Sequence, residues 1–117
     1  MDEIQIFDYI GVGYKPVHDF NGWRVAVLNY GPRFDIETME DLERHNETDE
    51  IFSLLEGDAF LIVGESMKRV PMERGKIYNV PKGVWHGISL SRDAKVLIVE
   101  NTDTTKENSE HKLLSEF

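Results

Sequence analysis

Residues 75–87 read GKIYNVPKGVWHG. Ile77, Tyr78 and Val80 suit a pleated, half-buried strand. Pro81 fixes its own φ and donates no backbone hydrogen bond, so the strand ends there. Gly83 supplies the positive φ that a tight turn needs. A new strand then begins at Trp85. PKG is thus a strand–turn–strand corner, with His86 one step into the returning strand. Local physics explains the turn and leaves the histidine to be explained.

Strand signals continue on both sides. WRVAVLNY (23–30) has a β-branched core, and EIFSLLEG and DAFLIVGE are apolar runs joined at Glu56-Gly57-Asp58, which reads as a hairpin turn. WHGISL and AKVLIVEN follow, separated by the polar SRDA. Short strands with turn residues between them point to an antiparallel sandwich or barrel. The tail differs: Thr104 or Thr105 would cap a helix over about 105–116, and Leu113, Leu114 and Phe117 would form its apolar stripe. The acidic run ETMEDLE (37–43) reads as a solvated face, and His18 and His111 as surface residues.

At 117 residues the chain is expected to form one domain, 1–117, with its core at about 23–101. It has no cysteine, which excludes disulfides and thiolate metal sites. No apolar run approaches the roughly 20 residues of a membrane span. The acidic start MDEIQIFDYI is unlike a basic signal peptide, so a cytoplasmic location is expected. The net charge of −9 argues against nucleic acid and anionic membranes as partners. It does not argue against a small-molecule ligand.

A second constellation precedes His86, in EDLERHNETDEIFSLLEG. Glu43 and His45 share strand parity and so share a face. Glu50 opens the next apolar strand. If the WHG strand lies beside these, Glu43, His45, Glu50 and His86 converge on one point. Two imidazoles and two carboxylates suit a divalent transition metal: Zn, Mn, Fe, Ni or Co.

Both stretches resemble the motifs of the cupin superfamily, G-x5-H-x-H-x3–4-E-x6-G and G-x5-P-x-G-x2-H-x3-N. Gly75, Pro81, Gly83 and His86 match the second, with Leu90 in place of the final Asn. His45, Glu50 and Gly57 match the first, where Glu43 stands for the first His and Glu37 for the leading Gly. The resemblance implies an all-β fold, a small RmlC-like jelly-roll barrel (a double-stranded β-helix), often dimeric, with a central metal held by three His and one Glu. A homodimer is therefore expected.

Small barrels of this kind fill with side chains or hold one small ligand. Arg24 alternates with Ala26 and Leu28 and could face inward as the cation for a carboxylate; a solvated arginine is the other reading. Tyr30, Phe52 and Trp85 are further pocket candidates, with core packing as their alternative. Two functions follow. One is a metal-dependent isomerase, lyase or dioxygenase acting on a small polar metabolite such as a sugar acid or keto acid, with Glu43 or Glu50 moving a proton where not ligated. The other is a non-catalytic metabolite-binding or dimer-forming module. The substitution at Glu43 favours the second, and the retained His45, Glu50 and His86 favour the first.

Overall fold

The computed structural model describes residues 3–117. Ten strands run in chain order: β1 Tyr14–Phe20, β2 Trp23–Asn29, β3 Asp41–His45, β4 Glu50–Glu56, β5 Ala59–Val63, β6 Lys68–Pro71, β7 Tyr78–Val80, β8 His86–Leu90, β9 Lys95–Asn101 and β10 Ser109–Leu113. They form two five-stranded antiparallel sheets, ordered β1-β2-β9-β4-β7 and β10-β3-β8-β5-β6. The chain passes repeatedly from one sheet to the other, as a jelly roll requires.

Alternation along the strands builds the core. Ala26 and Leu28, Phe52 and Leu54, Leu61, Ile88 and Leu90, and Val96 and Ile98 all point between the sheets and are buried. Each such Leu, Ile or Phe contributes about 1.5–3 kcal/mol relative to exposure. Toward β3 the space between the sheets stays open as a cavity of about 670 Å³. No helix among the described residues is long and apolar enough to cross a membrane.

Several sequence expectations change. The Glu56-Gly57-Asp58 turn is not a hairpin, because β4 and β5 lie in different sheets and the turn carries the chain across. Gly57 is required there: its φ is +71°, and a Cβ would come within 2.6 Å of the Ala94 backbone. The expected helix over 105–116 is absent. A single 3-10 turn at Lys106–Asn108 leads into β10, and another at Leu114–Glu116 follows it. The helical stripe dissolves because β10 takes up the free edge of β3 with Ser109 opposite His45 and His111 opposite Glu43. Leu113 is consequently 51% exposed, while Leu114 and Phe117 pack on a second cluster of Met39, Leu42, Ile62 and Trp85. Met39 and Leu42 belong to the run expected to be solvated; both are buried, Leu42 on the face of β3 turned away from Glu43 and His45 and Met39 just before the strand.

Candidate metal centre

The PKG corner is held from two directions. Gly83, at φ +82°, donates its N–H to the His45 carbonyl at 2.7 Å. Asp49 accepts hydrogen bonds from the Lys82 N–H at 2.9 Å and the Asn79 amide at 3.1 Å. These contacts fasten the corner to the end of β3, so His86 enters the barrel beside His45. Glu43 is the direct register partner of His86 across β3 and β8. Glu50 starts β4 in the opposite sheet and faces them across the cavity.

The four residues meet. One ligand atom from each of Glu43, His45, Glu50 and His86 lies within 4.8 Å of the others. Glu50 Oε1 is 3.2 Å from His45 Nε2 and 3.0 Å from His86 Nε2, and all three residues are buried. Glu43 is more open, with Oε1 at 3.7 Å from His45 Nε2. This His/Glu cluster could hold a metal ion.

The outer nitrogens of the two imidazoles decide what the inner ones can do. His86 Nδ1 lies 3.0 Å from the Val84 carbonyl, which can only accept, so Nδ1 carries the proton. His45 Nδ1 lies 2.8 Å from Ser109 Oγ, and that hydroxyl donates to the Thr105 carbonyl at 2.6 Å. Ser109 therefore accepts from His45. In their neutral forms both rings turn an Nε2 lone pair toward the Glu50 carboxylate. Three acceptors facing one point require a cation between them, either protons or a metal.

The titration directions fit the proton-loaded form. Burial would push the Glu50 carboxyl up, but the hydrogen bonds and charges of His45 and His86 outweigh it and hold it at about 2. Burial works against imidazolium, but Glu50 prevails, and both histidines sit above their ordinary value. Neutral imidazole nitrogens and carboxylate oxygens, without sulfur, form a donor set that suits a divalent transition ion. The residues present fit such an ion.

A second polar group occupies the same cavity. Glu100, only 5% exposed, is the register partner of Glu50 across β4 and β9. Its carboxylate accepts from the Tyr14 hydroxyl at 2.5 Å and from Arg24 Nη2 at 3.2 Å. Burial and the nearby Glu50 charge raise the Glu100 carboxyl, with Tyr14 and Arg24 pulling it back. Burial and Glu100 likewise push the Tyr14 phenol up. Arg24 does face inward, but its guanidinium is engaged by Glu100 and by the Thr104 carbonyl at 3.3 Å. It is not a free cation.

Of the other pocket candidates, Phe52 lines the cavity, with its ring edge-on to His86 at 5.9 Å. Trp85 does not. Its neighbour His86 points inward, so Trp85 points outward, where Arg44 sits 4.5 Å above its ring and Phe117 packs against its edge at 5.6 Å. Tyr30 packs against the core and donates its hydroxyl to Asp35 at 2.6 Å, away from the cavity lining. His111 is exposed, as expected, and stands at the cavity mouth, 3.2 Å from Asp41 and 3.7 Å from Glu43. Glu100 was legible in principle: a carboxylate sharing the inward parity of Val96 and Ile98 is an anomaly in an apolar strand.

Neither a protein-family model nor a curated relative matches the chain by sequence. Solved structures do match by shape. A cupin-2 domain containing protein from Shewanella frigidimarina aligns at 19% identity and TM-score 0.62, over 80% of this chain and 84% of its own. An RmlC-like cupin protein from Desulfovibrio desulfuricans aligns at 18% identity and TM-score 0.61, over 86% and 96%. Streptomyces PAC13, solved with uridine, aligns at 8% identity and TM-score 0.66, over 90% and 82%. PAC13 is described as a nucleoside dehydratase. The chain has the cupin fold, as its two motifs imply.

Proposed function

We propose that the protein is a metal-dependent enzyme of isomerase, lyase or dioxygenase type, acting on a small polar metabolite such as a sugar acid or keto acid in the barrel mouth. Glu43, His45, Glu50 and His86 would hold one Zn, Mn, Fe, Ni or Co ion. The observation that carries this reading is the convergence of His45 Nε2, His86 Nε2 and the buried Glu50 carboxylate on one point. When bound, the ion would supply Lewis-acid polarisation of a substrate carbonyl or hydroxyl. Glu50, an anion at neutral pH, serves as ligand rather than acid. Glu43, the more open carboxylate, would take or return a proton at the mouth where it is not ligated to the ion.

The opposite wall would orient the substrate. Tyr14, Glu100 and Arg24 present an acceptor and donors suited to hydroxyl groups, while Phe52 offers an apolar face. With Arg24 paired to Glu100, a substrate carboxylate would look to Arg33 or Lys106, which also line the cavity. The volume of about 670 Å³ falls in the range of small-molecule sites. That PAC13 was solved with uridine supports a hydroxylated ligand of this size. The alternative, a non-catalytic binding module, draws on Glu43: at 3.7 Å from His45 it stands where the motif has a histidine, without hydrogen-bonding to it.

The absence of nucleic-acid and anionic-membrane partners rests on the acidic charge of −9. A homodimer is supported by the extended amino-terminal arm. The arm is held where Phe7 stacks on His18 and where the Tyr9 and Gly11 carbonyls accept from the Asn29 amide. Ile4, Ile6, Ile10 and Val12 are 70–90% exposed, with Asp8 among them paired to Lys95, and a second copy would cover this apolar surface. Reconstituting the protein with each candidate ion and following ligand-induced melting shifts with uridine, sugar acids and keto acids tests the function. Metal-dependent stabilisation by one class is expected. Stabilisation by the same ligand with and without metal would favour the binding module.

A further inference from the structure

The carboxy-terminal strand belongs to the metal site although it supplies none of the four candidate ligands. β10 is an edge strand, paired only with β3 among the described strands. Its register sets Ser109 opposite His45 and His111 opposite Glu43, so two cross-strand pairs join the tail to two candidate ligands. Ser109 has one hydroxyl proton, and the Thr105 carbonyl takes it at 2.6 Å. The remaining Ser109 lone pairs face His45 Nδ1 at 2.8 Å. His111 gives its Nδ1 side to Asp41 at 3.2 Å and sets Nε2 3.7 Å from Glu43.

We propose that Ser109 is a positioning residue that fixes His45 in its Nδ1–H tautomer, and that docking of β10 and metal occupancy are thereby coupled. The inference rests on the metal reading above for its second half only. Without the serine, the His45 ring can place its proton on Nε2, where it would block the lone pair a metal needs. Partners of this kind typically change metal affinity by about tenfold to a hundredfold. Coupling is reciprocal, so a metal that benefits from docked β10 must also hold β10 in place.

The test uses the full chain and Zn²⁺. Ring nitrogen NMR is recorded on metal-free protein at a pH high enough to leave both imidazoles neutral. Glu50 competes there by accepting from Nε2–H, so wild type is expected to show a larger His45 Nδ1–H population than Ser109→Ala, in which the balance moves toward Nε2–H. Calorimetry should show Zn²⁺ binding weakened by about tenfold or more in Ser109→Ala. Ser109→Thr, which keeps the hydroxyl and suits a strand, should restore both properties and so separates the hydroxyl's role from strand stability. Zn²⁺ should also slow amide exchange across Glu110–Leu113 in wild type. A His45 tautomer balance that is the same in wild type and Ser109→Ala overturns the inference irrespective of metal. Equal Zn²⁺ affinity in wild type and Ser109→Ala overturns the coupling while leaving the metal reading intact. Failure of wild type to bind Zn²⁺ or any other candidate ion overturns the coupling and the metal reading together, and the tautomer result then stands alone.

Discussion

Replacing Glu43 by alanine removes one carboxylate from the mouth of the centre. An ion shared by four ligand atoms that lie within 4.8 Å of one another sits close to all of them. Two unit charges about 4 Å apart attract by about 1 kcal/mol in water, and a divalent ion doubles that to about 2 kcal/mol. The Glu43 side chain is 34% exposed, so the water-like figure applies rather than one for a dry interior. A loss of about 2 kcal/mol is roughly a thirtyfold weaker dissociation constant. Calorimetric titration of wild type and Glu43→Ala with Zn and Mn at low salt measures it. Glu43→Gln should show most of the same loss, since it keeps the shape and removes the charge. Glu43→His, which places an imidazole where the motif has one, should keep or tighten Zn and Ni binding. If Glu43→Ala binds both ions as tightly as wild type, Glu43 is no ligand, and the binding-module reading gains.

Gly83→Val should destabilise the fold by about 1–3 kcal/mol, read as a shift of the denaturation midpoint. A Cβ at Gly83 would meet nothing within 4 Å, so that cost comes from its φ of +82° alone, and an unchanged midpoint would refute the strain. Deleting residues 105–117 removes β10, Ser109 and His111, and should lower both the melting temperature and metal affinity; a packed exterior helix would have left the metal untouched. The metal-free and metal-loaded proteins should respond oppositely to pH. His45 and His86 titrate above their unfolded value of about 6.5, so their contribution to the metal-free fold is complete below that pH and lost as pH rises through the folded values. Metal binding needs neutral imidazoles, so the stabilisation by added Zn should grow over the same rise. Melting curves from pH 6 to 9 that run parallel with and without Zn would contradict the shared site.

The barrel was legible because its turns are written in residues with few alternatives. Pro81 and Gly83 admit little but a corner, and the parity of Glu43 with His45 admits one shared face. What the sequence hid was long-range. The Gly57 turn looks the same locally whether it joins partners in one sheet or carries the chain between two; the contact with Ala94 that demands glycine comes from the turn leading into β9, the neighbour of β4. The tail reads as a helix because Leu113, Leu114 and Phe117 have helical spacing, yet the free edge of β3 offers a full ladder of hydrogen bonds that a short tail helix lacks. Trp85 was assignable from parity alone, since His86 and its neighbour cannot face the same way. Glu100 and Tyr14 lie far from either motif, and only the pairing of β9 with β2 and β4 brings that carboxylate to Arg24 and Glu50.

The metal centre is tested most directly by elemental analysis of protein purified without a histidine tag. One divalent transition ion per chain is expected in wild type, with none in the folded His45→Ala, His86→Ala double variant after mild dialysis. A wild-type chain that carries no metal and takes none up when offered Zn, Mn, Fe, Ni or Co, or a double variant that keeps the wild-type content, would contradict it.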